Sequence, residues 1–182
     1  IMMSVEKDKI DPDIFDMLEM SNKTSEEVFS LLDNLLKWTK SQLGKLTVIP
    51  QKLDISGLAD GVVEVMNSVA EVKHIKLIRT DHESFFVYVD IEMIKSILRN
   101  LISNAVKFSN PDSEIKVGIK AEDGKVIVSV TDSGKGIKKE DQHKLLKDST
   151  HFTTYGTNSE EGSGLGLLLC RDFARKNGGE LW

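Results

Sequence analysis

The stretch Ile94 to Ser109, IKSILRNLISNAVKFS, decides what the rest of the chain can be. Wound at about 100° per residue, it puts Ile94, Ile97, Leu98, Leu101, Ala105 and Phe108 on one apolar side. Asn100, Asn104 and Lys107 gather within about 60° of each other on the flank. Asparagine is a mediocre helix former, so two of them four residues apart beside a core face are better explained by what they hold than by propensity. A carboxamide oxygen is a neutral hard ligand suited to Mg²⁺, and a lysine is a point charge suited to phosphate. A solvated helix flank is the competing explanation, and the surrounding sequence has to separate the two.

Around that helix there is material for one core. A chain of 182 residues with 40% hydrophobic content builds one ordinary domain and a helical extension rather than two full domains. A formal charge of −5, with acids and bases intermixed, offers no basic stripe for nucleic acid. Cys170 is the single cysteine, which excludes an internal disulfide and, within an apolar helical run, predicts a buried thiol in a reducing setting. No apolar run reaches the ~20 residues that span a bilayer, and the opening IMMSVEKDK lacks the apolar core of a signal peptide. The expectation is a soluble, cytoplasmic chain without membrane contact of its own, whatever anchors a longer parent protein.

Asp11-Pro12 is a helix start or turn. From Asp13 to about Leu43, Ile14, Phe15, Leu18, Val28, Leu31, Leu32, Leu35, Trp38 and Gln42 recur at three- and four-residue steps. Such a helix exceeds what a small core needs, and its heptad-like stripe predicts a partner helix in a bundle or dimer. Gly44 ends it, and Lys45 to Asp54 is expected as an extended connector around Pro50. A second helix is then expected to bury Leu58, Val62, Val65, Val69 and Val72. Short strands are predicted over about 76–79 and 85–90, before the asparagine helix that Asn110-Pro111 stops.

Ile115, Val117 and Ile119 alternate up to an Asp123-Gly124 turn, and Val126, Val128 and Val130 alternate after it, which predicts a hairpin. Asp132 keeps the parity of those valines, so valines facing the core would carry this carboxylate inward too. A buried acid needs a hydrogen-bonding partner. Capping of the following turn is its plainer use.

That turn is Ser133-Gly134-Lys135-Gly136-Ile137, whose glycines let the backbone bend sharply or approach another surface closely. About Gln142 to Ser163 is polar around isolated Phe152 and Tyr155, the composition of a lid-like loop. It ends in Gly162-Ser163-Gly164-Leu165-Gly166 against the helical run LLLCRDFARK, with Asn177-Gly178-Gly179 as its stop. Free N–H groups at a helix start, reachable because glycines carry no side chain, form an anion site. The spacing is neither the P-loop, which needs Lys-Ser/Thr after its last glycine, nor the dinucleotide fingerprint, which needs a preceding strand. Tight helix packing is the other use of such glycines. Taken together, the residues fit a nucleoside triphosphate with Mg²⁺: phosphates at the glycine-rich helix start and Lys107, metal at Asn104, a base amino group at Asp132. Adenine and guanine both satisfy that acceptor, so residue chemistry leaves the base open.

NLISNAVKFS resembles the N box, VTDSGKGI the first glycine box, HFTTYGT the F box and EEGSGLGLLLC the second glycine box of the catalytic ATP-binding (GHKL) domain of sensor histidine kinases. The four stand in that family's order between residues 90 and 182. Upstream, EEVFSLLDNLLKWTKSQLGK is similar to the second helix of the dimerisation and phosphotransfer domain. The resemblance implies part of that domain over 1–46 and the catalytic domain over 47–182. The implied fold is an α/β two-layer sandwich of the Bergerat type, a mixed sheet packed against helices, behind a long N-terminal helix. It implies ATP and Mg²⁺ as ligands, with Asn104 on the metal, Asn100 and Lys107 near the phosphates and Phe108 against the nucleotide. Asp132 is implied as the adenine N6 acceptor, with Gly134, Gly136 and Ile137 shaping the base pocket. Phe152, Thr153 and Thr154 fall in the lid, and Gly162, Ser163, Gly164, Leu165 and Gly166 at the phosphates.

The chain departs from the family pattern in two places. None of His74, His82, His143 or His151 has the adjacent acid of the phosphoacceptor box, and Trp182 falls inside what is similar to a GGELW strand that the family continues, which would leave an exposed sheet edge. The implied function is transfer of the ATP γ-phosphoryl group to a histidine on a bundle helix absent from this sequence, and onward to the aspartate of a response-regulator receiver domain, within a homodimer. This chain alone should bind ATP without phosphorylating itself. ATP-driven switches of the same fold place a glutamate base one turn before the metal-binding asparagine. Here that position is Asn100, ill suited to activate water. A nucleotide-binding regulatory or dimerisation module without phosphotransfer uses the same binding residues and is the other reading.

Overall fold

The computed structural model of the chain describes residues 11–81, 83–142, 144–145, 156–157, 160 and 164–182. Helix α1 (Pro12–Gln42) starts where the Asp11 carboxylate accepts the Asp13 amide at 3.0 Å. It ends in a Schellman turn: the Gly44 and Lys45 amides donate to the Ser41 and Lys40 carbonyls, and Gly44 takes φ +65°. Ile14, Leu18, Val28, Leu31, Leu32 and Leu35 on α1 are exposed, so most of its apolar stripe has no partner within the described chain. Its last turns dock, through Trp38 and through a hydrogen bond from the Ser41 hydroxyl to the Asp172 carboxylate.

Strand β1 (Gln51–Asp54) replaces part of the expected connector and pairs antiparallel with β3 (Phe86–Val89), Gln51 opposite Val89 and Asp54 opposite Phe86. Between them lie helix α2 (Ile55–Glu71), capped by Asp54, and strand β2 (Lys76–Arg79). The buried side of α2 is Ile55, Ala59, Val62, Val63, Met66 and Ala70. Val65, Val69 and Val72, expected in the core, are 56%, 48% and 83% exposed. The apolar arc of this helix is wide, and its period locates the arc without saying which half packs. The structure packs the half carrying Ala59 and Ala70, whose small side chains let the backbones approach.

Helix α3 (Ile91–Phe108) follows β3 and leads into the hairpin of β4 (Glu114–Glu122) and β5 (Lys125–Thr131). The sheet order is β2-β4-β5, with β2 parallel and β5 antiparallel to β4, so the expected mixed sheet is present beside the separate β1-β3 ribbon. Asp123 and Gly124 both adopt positive φ at the hairpin tip, as a two-residue turn between twisted strands requires. Leu98, Ile102, Ala105 and Val106 pack with α2 and with Ile115, Val117 and Ile119 of the sheet. On another side, Met93 and Ile97 join Trp38, Leu46 and Val48 and, from helix α5 (Gly166–Lys176), Leu169 and Phe173. Because α3 is packed from two directions, Ile102 and Val106 are buried. Ile94, Ile97, Leu101 and Phe108, expected on its apolar side, are half-buried. A short helix, α4 (Lys139–Gln142), follows the glycine loop. Among the described residues no helix is long and apolar enough to cross a membrane.

Candidate functional site

Helices α3 and α5 run antiparallel in contact, and this register builds the site. At one end the Asp90 amide donates to Asn177 Oδ1 at 2.7 Å, and Asn177 Nδ2 lies 3.3 Å from Met93 Sδ. Buried Asp90 also accepts the Met93 amide, which caps α3, and the Ile49 amide of the connector. Midway, the Cys170 thiol lies 4.0 Å from the Ile97 carbonyl, and burial pushes that thiol up to about 12. At the other end Asn100 meets Gly166, where a Cβ would stand 2.7 Å from Asn100 Oδ1. Asn100 Nδ2 donates to the Ser96 carbonyl at 3.0 Å, which turns the amide oxygen toward Gly166.

The start of α5 therefore faces the polar stripe of α3. Its cap residue, Leu165, contributes no side-chain hydrogen bond, and the first turn holds no acid. Gly164 before it takes φ +69°. A helix start of this kind presents N–H groups and the positive end of the helix dipole to an anion. Asn104 and Lys107 lie on the same side of α3, one and two turns beyond Asn100, both half-buried.

The first glycine loop lies across the other end of α3. The Lys135 amide donates to the Phe108 carbonyl at 3.2 Å, and Gly134 is so close that a Cβ would stand 2.2 Å from that oxygen. Lys107 Nζ and Lys135 Nζ sit 5.0 Å and 4.9 Å from the centre of the Phe108 ring. Gly136 takes φ +64°, and Ile137 is 49% exposed. Asp132 is exposed, not turned inward, and its Oδ1 accepts the Gly134 amide at 2.9 Å. Strand β5 ends at Thr131, so the alternation that predicted burial stops one residue short.

A third junction has no sign in the sequence. Lys73, just past α2, sends its ammonium to the Val106 and Lys107 carbonyls, both at 3.1 Å, to Thr157 Oγ1 at 2.9 Å and to Glu160 Oε1 at 2.6 Å. The Thr157 amide donates to the Lys107 carbonyl at 3.0 Å. Lys73 reads as an ordinary polar helix end, and its carboxylate partner is far away in sequence. Phe152, Thr153, Thr154, Gly162 and Ser163 lie outside the described residues. Among the described residues no three His, Cys, Asp or Glu side chains form a metal cage. The half-buried Asn104 carboxamide offers instead one hard oxygen that would suit a cation held mainly by a bound ligand.

A mixed sheet layered with helices, with a helix start facing a carboxamide stripe, defines an ATP-binding domain of the GHKL class. The model of the histidine kinase-, DNA gyrase B-, and HSP90-like ATPase family matches residues 89–182, just over half of the chain, and the chain belongs to that family. Over 154 residues it is 34% identical to the adaptive-response sensory kinase SasA of Crocosphaera subtropica, covering 84% of this chain and 40% of that protein. It is 28% identical to the sensor protein EvgS of Escherichia coli K12 over 171 residues, 90% of this chain and 14% of that one. The chain thus spans less than half the length of these relatives. Among solved structures, the nucleotide-free catalytic domain of histidine kinase ThkA superposes with TM-score 0.63 at 29% identity, over 74% of this chain and 86% of that one. Full-length ShkA in complex with AMPPNP shares the fold with TM-score 0.70 at 22% identity, over 93% of this chain and 35% of that one.

Proposed function

We propose that residues 47–182 are the catalytic ATP-binding domain of a sensor histidine kinase and residues 1–46 part of its dimerisation and phosphotransfer domain. One observation carries this: Asn100 on α3 and the start of α5 face each other across Gly166, with Asn104 and Lys107 on the same stripe. In this reading the α5 amides and Lys107 hold the phosphates, the Asn104 carboxamide binds Mg²⁺, and Asp132 accepts the adenine amino group. Phe108 and the 134–137 loop bound the base. Bound Mg²⁺ supplies neutralisation of charge on the phosphate oxygens. The chain's own contribution is positioning, since phosphoryl transfer asks a protein for alignment and charge stabilisation more than for covalent chemistry.

The acceptor would be a histidine on a bundle helix, with onward transfer to a response-regulator aspartate, and the exposed stripe of α1 would pair with a second copy in a cytoplasmic homodimer. The relatives' names as sensory kinases support that setting. Asn100, its amide tied to Ser96, offers no basic atom to activate water, which favours a kinase over a hydrolytic switch. Calorimetric titration with MgADP and a non-hydrolysable ATP analogue, with GTP as control, tests the site. Saturable, adenine-selective binding is the expected result, and no binding would remove the reading. Adding a separate phosphoacceptor domain should then yield phosphohistidine, and binding without any transfer would leave a regulatory module.

A further inference from the structure

We propose that buried Lys73 and half-buried Glu160 form an ionic latch that seats Gly156, Thr157 and Glu160 against the end of α3, making Lys73 a positioning residue for nucleotide binding. Lys73 lies outside all four motifs, and the proposal rests on the nucleotide reading above.

The Lys73 side chain is 7% exposed. An ammonium so deeply buried must satisfy its charge and its donors inside the protein. Two of its partners, the Val106 and Lys107 carbonyls, belong to the last turn of α3, where carbonyls have no partner within the helix and a cation meets the negative end of the dipole. These contacts join the end of α2 to the helix that carries Asn100, Asn104 and Lys107. The remaining two, Thr157 Oγ1 and Glu160 Oε1, come from the polar loop, and Glu160 brings the only formal counter-charge in this set.

Gly156 and Thr157 are fitted to that seat. Thr157 Oγ1 lies 2.8 Å from the Ser109 carbonyl, to which it can donate its own hydrogen, and the Gly156 amide donates to the Glu160 carbonyl at 2.8 Å. A Cβ on Gly156 would meet Glu160 Oε2 and Lys107 Cγ. Gly156, Thr157 and Glu160 therefore converge on Lys107 and Lys73 together. Glu160 stands only four residues before Gly164, so the latch acts a few residues from the start of α5. Loss of either charge should loosen the loop and spread the positions its end can take, and nucleotide affinity would fall even though neither residue touches the nucleotide.

The comparison that tests this uses the chain itself with Lys73→Met, Glu160→Gln and both together. Exchange of the Gly156 and Thr157 amides is measured without nucleotide, against the hairpin amides of β4 and β5 as internal reference, alongside MgADP affinity and melting temperature. Each single substitution should speed Gly156 and Thr157 exchange at least about tenfold over the reference amides and weaken MgADP by about tenfold. The double substitution should be no worse than the worse single one, because the pair acts as a unit. Unchanged exchange at these amides, or equal acceleration everywhere with unchanged affinity of the folded protein, would overturn the latch. If Lys73→Met does not fold, Glu160→Gln alone carries the test, since that side chain is 22% exposed and keeps its shape. If the unmodified chain binds no MgADP, it is the nucleotide reading that fails. The exchange arm then decides the latch by itself: selective acceleration keeps it, and uniform rates remove it.

Discussion

The carbonyl oxygen of Phe108 occupies the space a side chain on Gly134 would need, leaving 2.2 Å to a hypothetical Cβ. The obstacle is helix backbone, which cannot rotate away. Gly134→Ala should therefore lift the whole loop off α3. The expected outcome is about 1–3 kcal/mol of lost stability, as for other overpacked sites, with weaker nucleotide binding. Thermal denaturation and titration check it, and a melting temperature equal to that of the unmodified chain would contradict the contact.

Gly166→Ala should behave differently. Its Cβ would meet the Asn100 side-chain oxygen, the far end of a group that can turn. The fold should survive with a smaller fall in melting temperature than Gly134→Ala causes, while phosphate binding suffers. Adding Asn100→Ala should recover stability and leave affinity low.

Asn104→Ala separates metal from packing. Asn104 is half-buried, and alanine is the better helix former by roughly 0.5 kcal/mol, so melting should be unchanged or slightly higher. Nucleotide binding should lose its Mg²⁺ dependence. Equal affinity for MgADP before and after the substitution would remove the metal role.

Asp132→Asn retains the oxygen that accepts the Gly134 amide, so the turn should persist. A hydrogen bond to a charged group contributes roughly 1.5–3 kcal/mol, and adenine nucleotides should bind about tenfold more weakly or worse. Equal losses for ATP and GTP would count against a base-reading role.

Burial raises the Cys170 thiol from 9.0 to about 12, so the folded chain holds this proton where the unfolded chain releases it. The sign follows: the contribution is intact below the ordinary thiol value and is lost as pH rises from about 9 toward 12. Alkylation at pH 8 should be slow in the folded chain and fast after unfolding. Mass spectrometry of the trapped thiol checks this, and rapid labelling of folded protein would contradict the burial.

Much of this was legible where local rules suffice. Strand Lys76–Arg79, the Asp123-Gly124 turn and the stop after Phe108 follow from alternation, turn chemistry and the Asn110-Pro111 pair. The glycine motifs were legible as motifs, and the structure adds what they lie against. What escaped depends on partners far apart in sequence. Gln51–Asp54 shows no alternation and becomes a strand only because Phe86–Val89 is there to pair with it. Val65, Val69 and Val72 share the helical period of α2 yet lie on its uncovered half. The Lys73–Glu160 pair has no local signature at all.

Helix α3 lies on the chain's route between two strands that pair side by side in parallel, Leu77 opposite Ile115. That pairing can form only once the intervening chain has folded back over the sheet. A ligand that needs α3 in its folded place binds the native domain and not the unfolded chain, and mass action transmits its binding to the whole domain: at a hundred times its Kd a single ligand adds roughly 2.7 kcal/mol. Occupancy of one helix flank and integrity of the sheet are then thermodynamically linked.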